Sequence, residues 1–144
     1  MEEPEVLRGL VLGLHHIAVA VEDLGASREL YLDRLGLAGG EVERVADQGV
    51  DVLVVMAGNQ RVELVTPAAE DSPVAAFLAR RGPGLHHIAW KVADIEAALA
   101  TLNAAGVRLI DQNPRPGAHG TRIAFLHPKA TAGVLMELVE DPES

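Results

Sequence analysis

The chain has 144 residues, 49% of them hydrophobic but only 3% aromatic, so one sizeable core must be packed largely from Val, Leu, Ile and Ala. It has no cysteine, which excludes thiol catalysis, thiolate metal sites and disulfides and fits a cytosolic setting. A net charge of −9 argues against a nucleic-acid partner, although residues 72–136 alone carry +4 and could hold a small anion.

The N-terminal Met1-Glu2-Glu3-Pro4-Glu5 is acidic and precedes no long apolar run. Neither a signal peptide nor a span of the ~20 apolar residues that a bilayer requires is therefore expected. Leu14 to Val21 reads as a β-strand, with strong β-formers at alternate positions. Asp23 offers an N-cap to a helix from Leu24 to Leu35, which Gly36 ends. Strands are expected over 41–46, 50–57 and 61–66, with turn signals at Asp47-Gln48-Gly49 and Gly58-Asn59 and a stop at Pro67. Ser72-Pro73 opens a short helix to about Arg80, and Gly82-Pro83-Gly84 is a linker. The order then starts again: strand 85–92, helix 94–105, strand 107–110, a Pro/Gly loop from Asn113 to Gly120, and strands 121–127 and 133–140.

That restart is literal. Gly13-Leu14-His15-His16-Ile17-Ala18 recurs as Gly84-Leu85-His86-His87-Ile88-Ala89, an offset of 71, and Val62-Glu63-Leu64-Val65 answers Met136-Glu137-Leu138-Val139 at an offset of 74. A repeat of this kind is one supersecondary unit used twice to build a shared core. The expectation is an α+β fold in a single domain over 1–144. Two tandem βαβββ modules, about 13–67 and 84–141, form a half-open curled sheet around a metal site, with helices outside.

Strand alternation sorts each doublet. His15, Ile17, Val19 and Val21 share one face and His16, Ala18 and Ala20 the other; His86, Ile88, Trp90 and Val92 likewise oppose His87, Ala89 and Lys91. The bulky faces suit packing under helices, and the Ala-bearing faces leave room for a ligand. Glu63 and Glu137 sit between apolar neighbours, where a carboxylate is costly to desolvate unless it meets a cation. If a pseudo-twofold axis relates the copies, His16, Glu63, His87 and Glu137 converge on one divalent ion. Two imidazoles and two carboxylates suit Co²⁺, Mn²⁺, Zn²⁺ or Ni²⁺ more than Ca²⁺.

The doublet strands, Asp47-Gln48-Gly49-Val50, Val62-Glu63-Leu64-Val65-Thr66-Pro67, and Ile123-Ala124-Phe125-Leu126-His127-Pro128-Lys129 with Gly133-Val134-Leu135-Met136-Glu137-Leu138 together resemble the vicinal oxygen chelate superfamily. Within it they look most like the methylmalonyl-CoA epimerase family, from Leu14 to Glu140. The resemblance implies metal ligation by the same four residues, an acyl-CoA substrate epimerised at its acidic α-carbon, and a homodimer. Glu63 and Glu137 are then the candidate proton-transfer groups as well as ligands. Some members carry Gln at the position of Glu63, and some carry a Glu where this chain has Val52, so a further acid/base is unassigned. Arg115, His119, Arg122 and Lys129 are candidates to hold the CoA phosphates or cover the site, or form a solvated loop face. The rival readings are a glyoxalase I-type isomerase with the same ligands, and a metal-free small-molecule binding protein, which has no need of them. An extradiol dioxygenase fits less well, because its site uses three protein ligands.

Overall fold

The computed structural model describes residues 10–143; the acidic Met1–Glu5 stretch, on which the expectation of no leader rests, lies outside the described residues. The chain divides into two compact units, one of residues His16–His86 and one of residues up to His15 together with those from His87 on. Both dividing points fall inside a histidine doublet.

The first copy of the repeat folds as β1 (Gly13–Ala20), α1 (Leu24–Arg28), β2 (Ala38–Val45), β3 (Val50–Ala57) and β4 (Gln60–Pro67), followed by α2 (Pro73–Arg81). Its strands lie in the order β2-β3-β4-β1, with β1 parallel to β4 and the other neighbours antiparallel. The second copy is β5 (Gly84–Lys91), α3 (Ile95–Ala104), β6 (Arg115–Pro116), β7 (Arg122–Leu126) and β8 (Met136–Glu140). It repeats the order as β6-β7-β8-β5, again with the first strand parallel to the last. The fold class is thus α+β, built from two βαβββ modules, as the duplication requires. Among the described residues, no helix is long and apolar enough to cross a membrane.

Equivalent residues start equivalent helices. Asp23 caps α1 by accepting from Ala26 N, and Asp94 caps α3 by accepting from Ala97 N. Beneath α1 lie Val21, Leu53, Val55 and Leu64, met by Leu24, Tyr31, Leu32 and Leu37. Beneath α3 lie Val92, Ala124, Leu126 and Leu138, met by Ile95, Ala98 and Leu99, with Trp90 against them. Full burial of a leucine such as Leu53 or Leu64 contributes roughly 1.5–3 kcal/mol. The helix-facing side of each sheet is therefore the bulky side.

Three expectations need correction. The helix from Leu24 is α-helical only to Arg28, and Glu29–Arg34 widens to a π-type turn in which Leu35 N–H bonds to Leu30 O at 2.9 Å. The wider turn still brings Tyr31 and Leu32 onto the core. Strand β2 starts at Ala38 rather than at residue 41, and the missing Cβ of Gly39 leaves room there for the Leu32 side chain. Residues 107–110 form no strand: only Leu109 bridges to Leu126, and the Phe125 N–H is taken by the Asp111 side chain at 2.8 Å. A side chain thus occupies a donor that a continuing ladder would have used.

Candidate functional site

Each module carries one buried histidine–glutamate pair, and strand register explains both. In the first, Ala18 lies beside Glu63 in the β1–β4 pairing and Val54 lies on its other side in β3. His16 shares the face of Ala18, two residues before it. Its Nδ1 lies 3.4 Å from Glu63 Oε2, and the two residues are 3% and 7% exposed. Val52 is buried on the same face, two residues from Val54 and paired with Val65.

The second module repeats this arrangement with one large change. Ala89 lies beside Glu137 on β5 and Phe125 on β7. His87 Nε2 lies 3.1 Å from Glu137 Oε1, and both residues are buried. Phe125 stands where the first module has Val54, and its ring meets His87 edge-to-face with centroids 5.4 Å apart. Ala89, Ile123, Phe125 and Val139 make the surroundings of this pair apolar. Carboxylates in such places are costly unless a cation or hydrogen-bond donor meets them. Each pair offers one imidazole nitrogen and one carboxylate oxygen, the donor types that a divalent transition ion takes.

The other member of each doublet makes different contacts. His15 Nε2 lies 2.7 Å from Asp141 Oδ2, both side chains buried, which ties the start of β1 to the chain just past β8. His86 stacks edge-on against Phe77 of α2, with centroids 4.9 Å apart. A hydrogen bond to a buried charged group is worth about 1.5–3 kcal/mol. Asp141→Ala should lower unfolding stability by that order in urea titrations while leaving the metal content of the purified protein unchanged.

The four basic candidates separate by face. Arg115 pairs with Ile123 and so lies on the side of Phe125 and Glu137, with its Nε 3.0 Å from Asp111 Oδ1. Arg122 is one residue out of phase with Ile123. It lies on the helix side, where its guanidinium meets Glu96 at 2.8 Å and Glu140 at 3.2 Å. His119 occupies a left-handed conformation at φ +56° beside Gly120, in the turn that leads into β7. Lys129 follows in the turn after β7, where its N–H donates to His127 Nδ1 at 3.1 Å. Partial desolvation, then the nearby Arg108 and Lys129, hold His127 below the ordinary histidine range. Phe125 and Asp111 received no role from the sequence; Phe125 lies beside Glu137 through the β7–β8 register.

The chain is similar to known proteins over most of its length. The model of the glyoxalase/bleomycin resistance protein/dioxygenase superfamily matches residues 15–125. An ethylmalonyl-CoA/methylmalonyl-CoA epimerase of Cereibacter sphaeroides is 42% identical, over 87% of this chain and 95% of its own length. The crystal structure of methylmalonyl-CoA epimerase from Mycobacterium tuberculosis superposes with a TM-score of 0.88 at 39% identity, covering 93% of this chain and 91% of that one. Another methylmalonyl-CoA epimerase, solved in complex with methylmalonyl-CoA and ammonium, gives a TM-score of 0.88 at 37% identity, covering 92% of this chain and 96% of that one.

Proposed function

The chain belongs to the glyoxalase/bleomycin resistance protein/dioxygenase superfamily, and we propose that it is an isomerase that epimerises methylmalonyl-CoA with the help of one divalent ion. The observation that carries this reading is the buried His–Glu pair repeated in both modules, His16 with Glu63 and His87 with Glu137. The donor chemistry fits the ion: two imidazoles and two carboxylates, all four residues buried. In this reading the four side chains hold a single Co²⁺, Mn²⁺, Zn²⁺ or Ni²⁺. When bound, the ion supplies Lewis-acid stabilisation of the negative charge that grows on the thioester oxygen.

The rest falls to the chain's own groups. The α-proton between a carboxylate and a thioester is weakly acidic, and its removal leaves a planar enolate. Inversion then needs removal from one face and return to the other, hence two groups. Glu63 and Glu137 come from equivalent positions of the two repeats and are assigned these opposite faces, each taking or giving the proton at a carboxylate oxygen. Val52 and Val54 lie beside Glu63, and Phe125 and Val139 beside Glu137, so apolar side chains flank both carboxylates. Arg115, His119 and Lys129 are assigned to the CoA end of the substrate; Arg122 is already engaged on the helix side. A homodimer in the cytoplasm completes the proposal.

The test is turnover of purified, tag-free protein of measured metal content with methylmalonyl-CoA, ethylmalonyl-CoA and the glutathione hemithioacetal of methylglyoxal. Inversion of a malonyl-type thioester, lost on chelation and restored by one of the four metals, is expected. Turnover of the hemithioacetal alone would instead assign a glyoxalase I-type isomerase.

A further inference from the structure

The Asp111 carboxylate is used twice. Its Oδ2 accepts the backbone N–H of Phe125 at 2.8 Å, and its Oδ1 lies 3.0 Å from Arg115 Nε. The Arg115 guanidinium lies over the Phe125 ring, 6.0 Å from its centroid, within the range of a cation–π contact. The same ring meets the His87 imidazole edge-to-face, at 5.4 Å and 88°. His87 Nε2 in turn lies 3.1 Å from Glu137 Oε1. Contacts therefore run without a break from Asp111, through Arg115 and Phe125, to the imidazole and its glutamate.

Position is what such a chain can transmit. The Phe125 backbone is pinned by Asp111, the ring carries a guanidinium, and the ring also bounds the plane that His87 can adopt. The first module has only Val54 at the corresponding position, so this restraint is built on one side of the repeat. Ligating histidines depend on groups that fix the orientation of the ring. We propose that Asp111 is a positioning residue that, through Phe125 and Arg115, sets the orientation of the His87 imidazole. The proposal rests on the reading of His87 as a metal ligand, and it concerns a residue outside the four proposed ligands.

The test combines Co²⁺ titration of the metal-free full-length protein with NMR of the His87 ring resonances in wild type, Asp111→Ala, Asp111→Asn, Arg115→Gln and the Asp111→Ala/Arg115→Gln double variant. Asp111→Ala should move the His87 ring resonances and weaken Co²⁺ binding about tenfold, the lower end of the range for groups that orient a ligand. Asp111→Asn keeps an acceptor for Phe125 but removes the charge facing Arg115, so a smaller change in the same direction is expected. The double variant should be no worse than Asp111→Ala, because both substitutions act through one ring. A merely structural role would lower the melting temperature and leave both the His87 resonances and the Co²⁺ affinity at wild-type values, which overturns the proposal. So would additive losses in the double variant. Should Asp111→Ala fail to fold, Asp111→Asn and Arg115→Gln decide alone, since both must move the His87 signals. If the wild type binds no Co²⁺, the metal reading fails, while the ring resonances still decide whether Asp111 orients His87.

Discussion

Replacing His87 with alanine should strip the metal from the purified protein and lower epimerase turnover roughly 10³-fold, while the fold survives. The size follows from the several kcal/mol by which a metal stabilises developing charge, at 1.36 kcal/mol per tenfold in rate. The fold survives because the core beneath α3 is built from other residues. Some stability is lost, since the buried Glu137 loses its contact with the imidazole, at a cost of about 1–3 kcal/mol. His86→Ala is the control. Its ring lies against Phe77 of α2, so it should keep the metal and most of the activity. Elemental analysis of both variants, with urea titrations alongside, reads the result. Wild-type metal content in His87→Ala would remove His87 from the ligand set, and equal losses in both variants would trace the effect to the strand rather than to a ligand.

That contrast between neighbouring histidines was legible in the chain because a β-strand has a period of two. Alternation alone separates His16 from His15 and His87 from His86, and the literal repeat links the two sites. The same rule separates Arg122 from Phe125, which explains why a basic residue within a basic segment ends up on the helix side, exposed and paired with Glu96 and Glu140. What alternation could not supply is the pairing of distant segments. Ala18 meets Glu63, and Ala89 meets Glu137, through parallel registers that no local pattern announces. The segment 107–110 shows the converse failure. Val107-Arg108-Leu109-Ile110 has strand composition, but the Asp111 side chain takes the Phe125 N–H, and a single bridge is all that forms. The positioning role proposed for Asp111 depends on that substitution of side chain for backbone, which is a property of the folded chain and not of the residues 107–111.

Glu137→Gln and Glu63→Gln should each convert a two-sided epimerase into a one-sided exchange catalyst. Glutamine keeps the length of the side chain and one carbonyl oxygen as a ligand but cannot accept and return a proton. Loss of one acid/base group should cost about 10²–10⁴-fold in inversion. Solvent exchange is a different measurement, because it requires removal and return from the same face only. In heavy water, Glu137→Gln should still wash out the α-proton of one methylmalonyl-CoA epimer without inverting it, and Glu63→Gln should do so with the other epimer. Proton NMR of each epimer, in variants shown to retain metal, follows both processes at once. Equal loss of exchange with both epimers would move proton transfer to another group, such as His119 or a water, and full activity in either variant would remove that glutamate from the chemistry. The opposed preferences are the demanding part of the expectation. A glutamate that only held the ion would weaken exchange of both epimers alike. Opposite preferences follow only if the two repeats present their carboxylates to opposite sides of one planar intermediate.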